Sequence, residues 1–99
     1  MNTLVLEKEP VAVDIQLTDQ RLIVELEDGR SISIPVEWYP RLSHATKEER
    51  THWELLGGGY AIEWPDLDEH IGIEGLLAGR KSGESEVSFQ KWLASRRQE

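Results

Sequence analysis

Residues 10–35 read PVAVDIQLTDQRLIVELEDGRSISIP, and this stretch decides the fold. Apolar and polar side chains alternate through it, which is typical of strands with one buried face. The residues assigned to the buried face are Val11, Val13, Ile15, Leu17, Leu22, Val24, Leu26, Ile32 and Ile34. Asp28-Gly29 predicts a two-residue type I′ hairpin, because both residues tolerate positive φ. We therefore expect a three-stranded antiparallel meander that ends at Pro35, which has no N–H for the ladder.

The segment after the meander contains a helix start signal. Thr46 and Glu49 have the spacing of a capping box, in which each side chain bonds a backbone N–H of the first helical turn. The sequence predicts that this helix runs to about Leu56 and is stopped by the three glycines at 57–59. Trp53 would pack against the sheet from this helix.

The remaining elements are shorter. Residues 60–64 alternate and predict a fourth strand closed by Pro65, residues 66–70 a polar turn, residues 71–73 a brief extended piece, and residues 74–78 one helical turn. Ser85 caps a last helix. The cover expected for the apolar face of the meander is the Thr46 helix with Trp38, Leu42, Leu76 and Leu77.

These elements predict an α+β fold. We expect an antiparallel β-meander of three strands plus one or two short strands, covered on one face by one or two helices, with a C-terminal helix. The expected organisation is an N-terminal extension at 1–9, an α+β domain at 10–80, and a linker with the C-terminal helix at 81–99.

Composition and charge restrict the functional classes. The chain has 99 residues, a formal net charge of −8 and no cysteine, which excludes disulfides and thiolate chemistry. Nucleic-acid affinity comes largely from cations that displace counterions from phosphates. Because acidic residues outnumber basic ones in this chain, direct nucleic-acid binding is not expected. Leu4-Val5-Leu6 is too short for a signal peptide or a membrane span, so the sequence predicts a cytoplasmic protein without membrane contact.

Several segments in register resemble a known family. They are Asp28-Gly29-Arg30, Ile34-Pro35-Val36-Glu37-Trp38-Tyr39-Pro40-Arg41-Leu42, Ala45-Thr46, Arg50, Trp53-Glu54, Ile62-Glu63-Trp64-Pro65, Leu67-Asp68-Glu69 and Leu76-Leu77-Ala78-Gly79. Over roughly residues 10–79 the chain resembles the small bacterial family called domain of unknown function 2442. The resemblance implies an α+β fold, no established enzymatic activity, and frequent encoding beside another small protein in arrangements reminiscent of toxin–antitoxin pairs.

Some relatives in that family carry a helix-turn-helix DNA-binding domain after this module. Only some 20 residues follow Gly79 here, too few for such a domain. The resemblance therefore gives no reason to expect direct operator binding.

The candidate chemical groups do not form a recognisable constellation. The glycines at 57–59 are expected to follow a helix, the wrong polarity for a phosphate loop. The acidic run at 66–70 lacks the calcium-loop pattern, and His44 and His52 have no zinc-like spacing to a second ligand. Glu63, Asp66 and Asp68 could flank one pocket, but no nucleophile motif accompanies them. We expect no catalytic residue, no metal and no cofactor.

Aromatic side chains are the most distinctive feature, with four tryptophans in 99 residues. The predicted partner-binding residues are Trp38, Tyr39, Arg41, Trp64, Phe89 and Trp92. The segments Trp38-Tyr39-Pro40-Arg41 and Trp64-Pro65 form either an exposed aromatic–arginine patch or a second small core. Phe89, Trp92 and Leu93 give the last helix an apolar face, which either docks on the domain or lies in a partner's groove.

The functional hypothesis is a non-catalytic protein-interaction or regulatory module, in one form an antitoxin-like partner of a small neighbouring protein. One alternative is a nucleic-acid regulator that acts through a partner, or directly through Lys91, Arg96 and Arg97. Another is a small enzyme or ligand sensor of unknown chemistry. A homo-oligomer stays open.

Overall fold

The structure is a computed structural model that describes residues 10–96. The strands are β1 (Ala12–Leu17), β2 (Arg21–Leu26), β3 (Ser31–Pro35), β4 (Glu54–Leu56), β5 (Ala61–Trp64) and β6 (Glu69–Gly72). The helices are α1 (Pro40–Ser43), α2 (Lys47–Thr51), α3 (Ile73–Leu77) and α4 (Glu86–Arg96), with 3₁₀ turns at Val36–Trp38 and Pro65–Leu67. The α+β class is confirmed. The predicted extension at 1–9 lies outside the described residues.

The predicted meander is present as one antiparallel sheet in the order β1-β2-β3. Its core face carries the buried side chains of Ile15, Leu22, Val24, Leu26 and Ile34. The hairpin between β2 and β3 is confirmed, but its turn is longer than predicted. Gly29 has φ +96° while Asp28 stays at negative φ, and the Gly29 N–H donates to the Leu26 carbonyl at 3.0 Å. This is a three-residue loop built on a type I turn with glycine in the left-handed position.

The first strand departs from strict alternation at Val13. Ala12 pairs with Leu26 and Asp14 with Glu25, which leaves Val13 as the extra residue of a β-bulge. Ala12 is buried and Val13 is 55% exposed, so the prediction that Val13 faces the core was wrong. A bulge adds one residue and reverses the faces on one side of it, which periodicity alone does not reveal.

The helix predicted to run from Thr46 to Leu56 is much shorter. Its capping box is confirmed, because the Glu49 N–H donates to Thr46 Oγ1 and the Thr46 N–H to Glu49 Oε1. The helix ends at Thr51, and Glu54–Leu56 forms β4 instead. Leu55 pairs with Ile62 across an antiparallel hairpin, so strand pairing overrides the helical pattern here.

The glycines at 57–59 are therefore the turn of the β4–β5 hairpin and not a helix stop. All three have positive φ. A Cβ on Gly59 would lie 2.3 Å from the Ala12 carbonyl oxygen. The Ala12 N–H also donates to the Gly59 carbonyl at 2.8 Å. Glycine at 59 thus allows the second sheet to approach β1 closely.

The core lies between the two sheets and the short helices. The second sheet has the order β4-β5-β6 and buries Ile62, Trp64 and Ile71 against the meander. Leu42 and Leu76 belong to this core as predicted, and Trp38 and Trp53 pack against it. Two members of the predicted cover differ, since α2 has no buried residue and Leu77 is exposed. The second sheet supplies the cover that α2 was expected to provide.

The last helix, α4, docks on the body of the domain. The Ser88 N–H donates to Ser85 Oγ at 3.1 Å, as expected for the predicted cap. Phe89 is buried, while Trp92 and Leu93 are half-buried. Among residues 10–96 no helix is long and apolar enough to cross a membrane.

Candidate functional site

The structure divides the six residues predicted for partner binding into buried and half-buried groups. Tyr39, Trp64 and Phe89 are buried, and Trp38, Arg41 and Trp92 are half-buried. Trp64 is fully buried in the core, where its indole Nε1–H donates to the Arg50 carbonyl at 3.3 Å. Trp64 therefore belongs to the core and presents no surface to a partner in this structure.

Trp38, Tyr39 and Arg41 do form a patch on the body, and residues 80–96 cover it. We call these three residues the aromatic–arginine patch. The Tyr39 hydroxyl donates to the Arg80 carbonyl at 2.8 Å, and the Ser82 N–H donates to the Trp38 carbonyl at 3.1 Å. The Lys81 ammonium lies 5.1 Å from the centre of the Trp38 ring, within cation–π range.

Arg41 is the most connected member of the patch. It donates to both carboxylate oxygens of Glu84 at 2.6–3.2 Å and to the Leu67 carbonyl at 2.7 Å. The hydrogen bonds from Arg41 hold the pKa of Glu84 below its usual range. Both side chains are about seven-eighths shielded, which strengthens a charge-assisted fork of this kind.

Trp92 of α4 lies between two guanidinium groups. Arg41 is 5.2 Å and Arg96 4.5 Å from the Trp92 ring centre. Trp92 also stacks on Phe89, and Phe89 makes an edge contact with the His44 ring. Arg96 in turn bonds both oxygens of Glu49 at 2.8 and 3.0 Å. The last helix thus contacts the body in three ways. Phe89 packs against His44, Trp92 packs against Arg41, and Arg96 pairs with Glu49.

A groove of about 430 Å³ lies beside the patch, and we call it the β6 groove. Residues 68–72 form one wall and residues 80–84 the other, while Tyr39 and Arg41 also line it. This volume lies in the range of small-ligand pockets. Asp68 has φ +52°, the left-handed conformation that Asp tolerates, and it turns the chain from the 3₁₀ turn into β6.

Glu69 is the titratable group that the groove perturbs most. It pairs with Trp64 across β5 and β6, so its side chain is on the core face of the sheet. Burial raises the pKa of Glu69 to about 7, and the positive charge of Arg41 offsets only part of this effect. Glu84 and Asp68 raise the pKa of Glu69 further by like-charge repulsion. A carboxyl group that titrates near neutral pH therefore lies in the groove.

The outer edge of β6 borders the same groove. The Ile73 N–H donates to the Tyr60 carbonyl at 2.9 Å, which makes this a hydrogen-bonded pair. Because such pairs alternate along an antiparallel ladder, the backbone groups of His70 and the N–H of Gly72 point away from β5. Both residues line the groove. The groove thus presents backbone donors and an acceptor in strand geometry.

The other sequence candidates lie on separate surfaces. Asp66 pairs with His52 at 2.8 Å on an exposed surface, and this bond raises the pKa of His52. Glu63 lies opposite His70 and Glu54 on the outer face of the second sheet. His44 Nδ1 contacts the Pro40 carbonyl, so its ring serves local structure and the contact with Phe89. Within the described part of the chain no His, Asp or Glu cluster could hold a metal ion.

The basic strip considered for nucleic acid is only partly available. Arg96 forms an ion pair with Glu49 and lies over the Trp92 ring. Lys91, also in α4, is exposed. Arg97 lies outside the described residues. The arrangement therefore pairs one of the three cations with a carboxylate of the body.

Sequence reasoning missed Glu69, Glu84 and Gly72 as parts of the groove. Glu69 was grouped with the polar turn, and Glu84 with the linker. The sequence does contain one relevant feature for Glu69. It lies five residues after Trp64, a separation that a short hairpin spans, and in the structure the two residues are paired across β5 and β6. Nothing in the sequence shows that Glu84 contacts Arg41, 43 positions away.

Fold and groove together define a small α+β domain of two three-stranded antiparallel sheets with an open strand edge. The chain belongs to the family described as Protein of unknown function (DUF2442), which matches residues 12–82. This confirms the resemblance seen in the sequence.

Two solved structures are similar. A protein of unknown function from Rhodospirillum rubrum is 30% identical, with a TM-score of 0.68 over 78% of this chain and 95% of that one. An uncharacterised protein from Chromobacterium violaceum, solved by NMR, is 22% identical and supports the fold alone, with a TM-score of 0.63 over 87% of this chain and 75% of that one. None of the curated proteins matches the chain.

Proposed function

We propose that this chain is a non-catalytic, regulatory protein-interaction module that binds an extended segment of a small partner protein along β6. The observation that carries the proposal is the outward backbone of His70 and Gly72 beside a groove of about 430 Å³. An extended segment that adds to a sheet edge gains main-chain hydrogen bonds, and adjacent pockets select its side chains. The four residues of β6 allow only a short pairing, so the groove must contribute side-chain contacts.

The charge of the body supports a basic partner. The chain carries a net charge of −8, and electrostatic complementarity mainly increases association rate and specificity. Within the groove, Arg41 is paired with Glu84, while Asp68 and Glu69 remain to meet a cation from the partner. An antitoxin-like role towards a protein encoded beside this one is the form that the family resemblance supports. A cytoplasmic location stays a prediction, tested by cell fractionation.

Gly72 offers a sharp test of edge pairing. Its φ is −79°, close to the value proline requires, and a Cβ there meets nothing within 4 Å. The preceding residue is extended, as proline also requires. Gly72→Pro should therefore fold and remove only the outward N–H, whereas Gly72→Ala keeps that donor and serves as the matched control.

The experiment co-expresses each form with the small protein encoded by the adjacent gene. We expect co-purification with wild type and Gly72→Ala, at least tenfold weaker binding to Gly72→Pro, and slower hydrogen exchange at the His70 and Gly72 amides in the complex. Equal binding by Gly72→Pro, or protection confined to other strands, would contradict edge pairing. No complex with any of the three forms would contradict the neighbouring protein as the partner.

One observation favours a second candidate, a sensor or enzyme for a small ligand. Glu69 has a pKa of about 7 in a groove, and such a group is suited to proton transfer near neutral pH. A thermal-shift screen of small cationic and neutral compounds tests this, with Glu69→Gln as the control. A compound that stabilises wild type but not Glu69→Gln would favour this candidate. No shift in either protein would count against it.

A further inference from the structure

The two walls of the β6 groove run in opposite directions. At one end, the Arg41 guanidinium donates to the Leu67 carbonyl at 2.7 Å and also to Glu84, so the start of β6 lies across from residue 84. At the other end, the Arg80 N–H donates to the Gly75 carbonyl at 2.9 Å, and the Arg80 guanidinium lies 3.7 Å from the position of a Cβ on Gly75. The groove therefore has two distinct ends, one beside the start of β6 and one beyond its last residue.

The first end of the groove is acidic. Asp68 and Glu69 line it, and the Glu84 carboxylate there is already paired with the Arg41 guanidinium at 2.6 Å. The charges of that pair cancel, so Asp68 and Glu69 set the net charge of this end above the Glu69 pKa of about 7. We call it the acidic end.

The second end of the groove is basic. Arg80 lines it and is exposed, and within residues 10–96 its guanidinium forms no ion pair. Lys81 lines the same wall, with its ammonium 5.1 Å from the centre of the Trp38 ring. We call this the basic end, and the charge of the groove thus changes sign along β6.

Strand geometry converts this change of sign into a side-chain pattern. Glu69 and Ile71 pair with Trp64 and Ile62, so both project from the core face of the sheet, and both line the groove. On a strand added to β6, the residues opposite Glu69 and Ile71 share that face, because side chains directly across a ladder lie on the same side. Alternation places the next side chain on this face opposite Ile73, towards the basic end.

We propose that the segment bound along β6 is charge-polarised and reads acid–x–apolar–x–base from its amino end. The base lies against Asp68 and Glu69, the apolar side chain against Ile71, and the acid against Arg80. The direction is antiparallel to β6, because antiparallel pairing is the more stable per residue. This inference rests on the function proposed above and adds to it the chemistry of the partner segment.

The test uses two synthetic peptides of identical composition, each with an amino-terminal fluorophore and Gly-Ser-Gly on both sides of its core. One core is Glu-Thr-Val-Thr-Lys and the other is Lys-Thr-Val-Thr-Glu. Both are titrated into the full-length chain at pH 8 and low salt, where Glu69 is ionised and exposed charges are least screened. We expect the first peptide to bind at least tenfold more tightly, because the exchange turns two attractions in this register into repulsions. Equal affinities, or tighter binding of the second peptide, would overturn the assigned pattern.

Arg80→Gln tests the contact at the basic end. The backbone of Arg80 bonds Gly75 and Tyr39 without its side chain, so this variant should fold. It should weaken the first peptide about threefold and leave unchanged a peptide with glutamine in place of the glutamate. Arg30→Gln, at an exposed arginine outside the groove, is the matched control and should affect neither peptide. An equal effect of Arg80→Gln on both peptides would contradict the contact.

N-methylation of the second threonine separates the charge pattern from edge pairing itself. In the proposed register this threonine lies opposite His70, whose backbone groups point away from β5, and its N–H donates to the His70 carbonyl. A tenfold loss on methylation without an effect of charge order would leave edge pairing standing and overturn the pattern. An effect of charge order without an effect of methylation would overturn both, because the pattern depends on strand register. No binding of any peptide at millimolar concentration overturns the pattern, whereas co-purification with Gly72→Pro decides the proposed function separately.

Discussion

The Glu84 carboxylate accepts hydrogen bonds from the Arg41 guanidinium, which lies 43 positions earlier in the chain, with a shortest Nη2–Oε2 distance of 2.6 Å. Ser88 adds a third donor group at 2.7 Å. This bond joins α1 to the segment that leads into α4, and it forms the end of the β6 groove. The bond therefore lines the groove and also ties residues 80–96 to the body of the domain.

Arg41→Ala should loosen residues 80–96 without unfolding the sheets. Removing the guanidinium leaves a shielded carboxylate without its partner, and we expect a loss of about 2 kcal/mol in the docking of this segment. Hydrogen exchange at α4 amides and trypsin cleavage after Lys81 should both accelerate. Arg30→Ala, which breaks an exposed pair with Asp28, is the control and should change neither rate. Unchanged protection in Arg41→Ala would show that the pair does not hold α4.

The Glu49–Arg96 pair should make α4 docking sensitive to acid. Bonding to Arg96 lowers the pKa of Glu49 to about 2 from an unfolded value of 4.5. A lowered folded pKa contributes stability above the unfolded value, and this contribution is lost as pH falls from about 5 towards 2. Because the pair is partly exposed, we expect about 1 kcal/mol. Urea unfolding at pH 7 and pH 3 should show a smaller acid loss in Glu49→Gln than in wild type; equal losses would contradict this.

Glu69 should give the opposite pH dependence. Burial raises its folded pKa to about 7, so the folded state binds more protons than the unfolded state between about pH 4.5 and 7. Stability from this group is present below pH 4.5 and is lost as pH rises through 7. Glu69→Gln should therefore be more stable than wild type at pH 8, by on the order of 1–3 kcal/mol, and similar at pH 4. Denaturant unfolding at the two pH values measures this, and NMR titration of the Glu69 carboxyl carbon measures the pKa directly.

Gly59→Ala should be among the most damaging single substitutions. Its Cβ would lie 2.3 Å from the Ala12 carbonyl oxygen, at a φ of +111° that alanine rarely adopts. We expect a loss of more than about 3 kcal/mol, because the two sheets must separate. Gly58→Ala is the matched control: φ is +73° and nothing lies within 4 Å, so only backbone strain of about 1 kcal/mol is expected. Equal losses in the two variants would contradict the close contact.

The sequence alone determined the features that depend on neighbouring residues. The alternation at 15–35, the Asp28-Gly29 hairpin and the Thr46–Glu49 capping box follow from side-chain direction and local hydrogen bonds, and they are present. The family membership was also recognisable, because its signatures are short and in register.

Only the tertiary structure decided the features that depend on distant contacts. Residues 54–56 pair with β5, the glycine turn of that hairpin contacts β1 at Ala12, and the bulge at Val13 lies beside this contact. Glu69 acquires its pKa from burial beside Trp64, and the patch of Trp38, Tyr39 and Arg41 is covered by residues 80–96. The physical reason is the same in each case: desolvation and pairing energies depend on which surfaces meet, and residues far apart in the chain supply those surfaces.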